Sequence, residues 1–68
     1  MKSDVHDVEC EFLMQTEAAV KVKNLDGDSV WLPKAVCEFE KAGGGTPMWG
    51  DTITLTAPQS WLEDKGLV

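Results

Sequence analysis

EAAVKVKNLDGDSVWLPK, residues Glu17–Lys34, is the stretch whose reading decides the fold. Val20 and Val22 alternate with Lys21 and Lys23, the period-2 pattern of a strand with one buried and one wet face. Asp26-Gly27 follows, a strong hairpin signal because glycine accepts a positive φ at little cost. Asp28 and Ser29 extend the turn chemistry. Val30-Trp31-Leu32 resumes the strand, and Pro33 ends its ladder because it has no N–H. Asp26-Gly27-Asp28 also has the look of a calcium-loop fragment. Such a loop needs a run of oxygen ligands and a distal Glu at fixed offsets, and these are absent. The stretch therefore reads as a β-hairpin with a plain turn, and the rest of the chain as material that closes a small sheet around it.

On the N-terminal side, residues 1–3 read as a frayed end and a strand as starting at Asp4. Val8, Cys10, Phe12 and Met14 share one parity; Asp7, Glu9, Glu11 and Leu13 share the other. This predicts an apolar inner face and an acidic outer face. Same-face side chains lie about 6.7 Å apart along a strand, so Asp7, Glu9 and Glu11 form a row of carboxylates.

On the C-terminal side, Ala35–Lys41 reads as another strand, with Cys37 and Phe39 in and Glu38 and Glu40 out, a second acidic row. Ala42–Gly50 is a loop, since its three successive glycines cannot hold a strand. Met48-Trp49 within it has two readings: a cap over the open end of a barrel, or an exposed anchor for a partner. In Asp51–Ala57, Ile53, Leu55 and Ala57 face in and the threonines face out. Pro58 suits the first position of a helix, and Ser60-Trp61-Leu62-Glu63 has capping-box spacing. Gly66 is placed as the left-handed residue after that helix, with Leu67 reaching back to Leu62. The predicted fold is mainly β: a small bent antiparallel sheet, or a partly open SH3-like or OB-like barrel of four to five strands, with a short C-terminal helix. Lys21, Lys23, Pro33 and the acidic rows are expected to protect the sheet edges.

With 68 residues the chain is one domain, residues 1–68. A chain this short buries only about 60% of the surface its unfolded form exposes. Three Trp and two Phe offer large burial per residue, and a homodimer would add more. The net charge of −6 argues against a phosphate-binding surface, hence against direct duplex DNA binding, and favours a basic partner. No stretch approaches the roughly 20 apolar residues of a membrane-spanning helix, so a cytoplasmic location in a host cell is expected. Cys10 and Cys37 read as buried thiols of a reducing compartment.

No catalytic constellation emerges. His6 is the only histidine, with Ser3, Asp4 and Asp7 near it in sequence on a terminal segment. A metal site from Asp4, His6, Asp7 and Glu9 is opposed by strand alternation, which divides them between two faces. Gly43-Gly44-Gly45-Thr46 lacks the lysine and the following helix of a phosphate-binding loop. Neither catalysis nor a cofactor is expected.

Val30-Trp31-Leu32-Pro33-Lys34, then Gly50-Asp51-Thr52-Ile53-Thr54-Leu55, then Trp61-Leu62-Glu63-Asp64-Lys65-Gly66-Leu67-Val68 resemble a group of small phage and prophage proteins. The resemblance spans residues 17–68 and implies a mobile-element origin and a small β fold; it carries over no catalytic residue. Small acidic phage proteins include anti-CRISPR inhibitors, several of which look like nucleic-acid mimics, an analogy of size, charge and origin. The expected function is a non-enzymatic inhibitor that binds a basic nucleic-acid-handling host complex. Asp7, Glu9 and Glu11, joined by Glu38, Glu40, Asp26, Asp28 and Trp49, are the expected partner-binding residues. The alternative is a module that stacks single-stranded nucleic acid on Trp31 and Trp49, or binds a phage replication protein, with Lys21, Lys23 and Lys34 as its basic face.

Overall fold

A computed structural model describes residues 5–68, so the readings placed on Ser3, Asp4 and the first residues lie outside the described part. The elements are β1 (Val5–Gln15), β2 (Ala19–Lys23), β3 (Ser29–Pro33), β4 (Glu38–Lys41), β5 (Thr52–Pro58) and α1 (Gln59–Asp64). The five strands form one antiparallel sheet in the order β3-β2-β1-β5-β4. It stays open: no ladder joins β3 to β4. The 17–34 hairpin is therefore a flank of the sheet. Its axis is β1, the longest strand, which pairs with β2 on one side and β5 on the other.

One face of the sheet carries the core. Phe12, Val20, Val22, Leu32, Ile53, Leu55 and Ala57 project from four strands, and Cys37, Leu62 and Leu67 close over them. Each fully buried Val, Leu or Ile side chain contributes about 1.5–3 kcal/mol. The cluster is continuous across both flanks, so a single core holds the sheet. The alternation expected for β1 holds through Phe12 and then breaks. The register slips between Phe12 and Met14, leaving Leu13 without a partner on β2. At this bulge Leu13 is buried, 5% exposed, and Met14 is left out, 43% exposed, the reverse of the expected parity.

The β2–β3 turn is built by a residue that the reading of Asp26-Gly27 passed over. Asn24 Oδ1 accepts from the N–H groups of both Asp26 and Asp28, at 3.0 and 2.9 Å. Gly27 takes φ +86°, and its N–H closes onto the Asn24 carbonyl at 3.1 Å. Asn24 Nδ2 also donates to the Lys65 carbonyl at 2.9 Å, tying this turn to the helix exit. There the chain stops as expected. The Leu67 N–H reaches the Leu62 carbonyl at 2.8 Å and the Gly66 N–H the Glu63 carbonyl at 3.2 Å, with Gly66 at φ +76°. The helix start differs from expectation. Pro58 is the N-cap, no side chain caps the first turn, and Ser60 lies inside the helix, so the capping box does not form.

Two further readings are corrected. β4 starts at Glu38, because Pro33–Val36 forms a turn closed by the Val36 N–H onto the Pro33 carbonyl at 3.1 Å. Lys21 and Lys23 lie on β2, an interior strand, and guard no edge; Pro33 on β3 and Glu38 and Glu40 on β4 do.

Candidate acidic interface

The face opposite the core carries the polar residues, and the ladder fixes their arrangement. The Phe12 N–H donates to the Asp51 carbonyl at 2.8 Å. Counting from there, the rungs Glu9–Thr54 and Asp7–Thr56 fall on the close, non-hydrogen-bonded positions of the β1–β5 ladder. Across β5 the same threonines pair with β4, Thr54 with Glu40 and Thr56 with Glu38. Two rungs therefore read carboxylate, threonine, carboxylate: Glu9–Thr54–Glu40 and Asp7–Thr56–Glu38. Carboxylates on one strand stand about 6.7 Å apart, and those on β1 and β4 about 10 Å apart. The two acidic rows are not neighbours; a threonine row separates them, which relieves repulsion between like charges directly opposite. Thr56 Oγ1 donates to Asp7 Oδ1 at 2.6 Å and holds that carboxylate over the face.

The expected site residues divide accordingly. Asp7, Glu9, Glu38 and Glu40 share the face, and among the described residues none of the four lies within ion-pair distance of a lysine. Glu11 continues the row but is answered by Lys23, its cross-strand partner, at 3.9 Å. Asp26 and Asp28 are not part of this surface. They sit in the β2–β3 turn, which packs against the helix exit, and Asp26 Oδ2 would lie 3.7 Å from a Cβ built on Gly66. The β2–β3 half of the same face differs. Lys21 stands opposite Trp31 with its Nζ 5.7 Å from the ring centroid, and Trp31 is 41% exposed.

Trp49 is 70% exposed and Met48 71%, which overturns the capping reading. The pair rides on a fixed turn. The Asp51 N–H donates to the Met48 carbonyl at 3.0 Å, and Gly50 takes φ +89°, as the third position of a type II turn requires. Asp51 Oδ2 accepts the Met48 N–H at 2.8 Å and lies 3.5 Å from Lys41 Nζ. The Met48 amide, then Lys41, hold the Asp51 carboxyl below the usual carboxylate range. The Gly50 N–H completes the anchorage on the Phe12 carbonyl at 2.8 Å. Sequence reading saw Asp51 only as the start of a strand; the sign of its second role is the spacing of an Asp three residues after Met48.

Both thiols are free, and Cys37 Sγ donates to the Pro33 carbonyl at 3.3 Å. Burial, and secondarily Cys37, push the Cys10 thiol up to about 11. Among the described residues no three His, Cys, Asp or Glu side chains are placed to hold a metal ion, and no helix is long and apolar enough to cross a membrane. His6 sits opposite Ala57, on the other face from Asp7 and Glu9. Comparison with protein-family models, with curated proteins and with solved structures finds no match to this chain.

Proposed function

We propose that this chain is a non-enzymatic inhibitor of phage or mobile-element origin. It binds a basic, nucleic-acid-handling host complex in place of DNA, in the manner of an anti-CRISPR protein. The observation that supports the reading is the two-by-two array of Asp7, Glu9, Glu38 and Glu40 on one sheet face, spaced by threonines and lacking lysine partners among the described residues. Each strand of duplex DNA carries one charge per about 3.4 Å of axis, so carboxylates about 6.7 Å apart present roughly half that density. A groove lined with Lys and Arg attracts such a face over a distance set by the Debye length, about 8 Å at physiological salt.

The test is displacement of a labelled target duplex from guide-loaded CRISPR effector complexes, single-protein and multisubunit, by the purified chain. Glu9→Lys with Glu40→Lys reverses one whole rung and is expected to weaken displacement by at least about tenfold, chiefly through slower association. Glu11→Lys, which removes an acid already answered by Lys23, is expected to matter less. Undiminished displacement by the Glu9→Lys/Glu40→Lys protein removes the charge argument.

A second reading rests on the exposure of Trp31 and Trp49 together with Lys21 above the Trp31 ring. These would stack bases of a single strand. Retardation of a single-stranded oligonucleotide that fades with salt supports it; no retardation at low salt dismisses it. It ranks second because the net charge of −6 opposes it and Lys23 is engaged with Glu11.

A further inference from the structure

The acidic array leaves the Met48–Trp49 turn unexplained. Two large apolar side chains stand in solvent on a segment held by hydrogen bonds at Met48, Gly50 and Asp51 and by the nearness of Lys41 to Asp51. An exposed Trp on a turn whose backbone is already hydrogen-bonded loses less freedom on binding than one on a loose loop, and Trp is enriched at interface hot spots. Its setting indicates the partner. Gly50 and Asp51 bond to Phe12, one rung past Glu11–Thr52, and at that level Glu11 faces Lys23 and Asp51 faces Lys41. Carboxylates without an ion-pair partner among the described residues begin at the Glu9–Thr54–Glu40 rung, whose Thr54 is three residues from Asp51 along β5, about 10 Å. Along the strands the chain thus passes from an apolar knuckle, past the ion pairs Glu11–Lys23 on the outer face and Asp51–Lys41 at the parity of Ile53, to the acidic rung.

We propose that Met48–Trp49 is a pre-organised anchor that seats in an apolar socket on the basic partner, beside the cationic patch that meets Glu9 and Glu40. The identity of that partner rests on the acidic-face reading above. The anchor supplies specificity that charge alone lacks, since a carboxylate array attracts any cationic groove. Gly50 acts as a positioning residue. A Cβ on it would meet nothing within 4 Å, yet its φ of +89° disfavours any L-residue, so Gly50→Ala strains the turn through its backbone without a steric clash.

The experiment is the same duplex displacement by the full chain, with association and dissociation rates measured by surface immobilisation of the effector complex. Trp49→Ala is expected to weaken binding by about 30-fold or more, through faster dissociation, with the salt dependence unchanged. Gly50→Ala is expected to cost roughly three- to tenfold, and a chemically synthesised chain with D-alanine at position 50 to restore wild-type binding, since a D-residue favours positive φ. Met48→Ser replaces Trp49→Ala should the latter not fold. If Trp49→Ala and Met48→Ser both bind within twofold of wild type while Glu9→Lys/Glu40→Lys does not bind, the anchor falls and the acidic reading stands. The opposite pattern leaves the anchor and removes the acidic reading. If the wild-type chain displaces duplex from none of the complexes, both fall.

Discussion

The two halves of the outer face answer one sequence pattern in opposite ways. On β1 and β2 the alternation brings Glu11 against Lys23 and, one strand further, Lys21 against Trp31. On β1, β5 and β4 the same alternation places threonines between carboxylates, so charge is spaced out and left facing solvent. The first half settles its polar residues among themselves, whereas the second directs them outward. Outward parity alone does not mark a binding surface; the residue across the strand decides whether a charge is available.

Both halves share one core, and the largest effects belong there. Leu32→Ala under the Lys/Trp half and Leu55→Ala under the acidic half are each expected to lose about 2–5 kcal/mol. Urea unfolding followed by circular dichroism and by Trp fluorescence should then give coincident single transitions. Separate transitions for the two variants would break the picture of one body with two faces. The next effect is chemical. With its thiol pushed up from 9.0 to about 11, Cys10 should alkylate about 100-fold more slowly in the folded chain than a free thiol at the same pH. Because the folded chain holds this proton more tightly than the unfolded one, the associated stability is complete below about 9 and lost as pH rises towards about 11. A Cys10→Ser protein should show a smaller alkaline decline in melting temperature, the remainder coming from Cys37, whose thiol burial also pushes up.

Smaller effects sharpen the comparison itself. Lys23→Gln removes an exposed ion pair and should cost under about 1 kcal/mol, while Glu40→Gln relieves repulsion across Thr54 and should raise stability by a few tenths of a kcal/mol. Opposite signs in thermal melts at low salt, converging at high salt, are the expected outcome; equal signs would erase the distinction between the halves. Smallest is the acid response of the Met48–Trp49 turn. The Asp51 carboxyl is held below its ordinary range, so its contribution is present above the ordinary carboxylate pKa and is lost as pH falls through the depressed value. The wild-type advantage in melting temperature over Asp51→Asn should shrink along that acid limb.

Strand alternation, hairpin, glycine stop and outward threonines were legible because each is written within a few adjacent residues. The bulge was not, since Leu13 and Met14 are both apolar and parity alone cannot say which is turned in. The capping box failed because Pro58, which has no N–H, already supplies the break at which the helix starts, leaving Ser60 inside it. Asn24 went unread because its work is done by side-chain bonds to residues two and four ahead and to Lys65, far away in sequence. The site was half legible. Both acidic rows could be placed on outward faces, but only the strand order shows that β5 lies between them and that Glu11 meets Lys23.

The central place of β1 has a consequence for how the molecule is made. As the chain leaves the ribosome, β1 can zip to β2 at once, but its other edge must wait for β5 at the far end of the described sequence. Closing so long a loop is slow compared with forming a hairpin. Until then the first part of β1, Val5–Cys10, stays unpaired and bears Val8 and Cys10. The carboxylates alternating with those residues give that strand a mutual repulsion that discourages pairing between nascent chains. On this view the row Asp7, Glu9, Glu11 serves the protein once before it is folded, as a safeguard during synthesis.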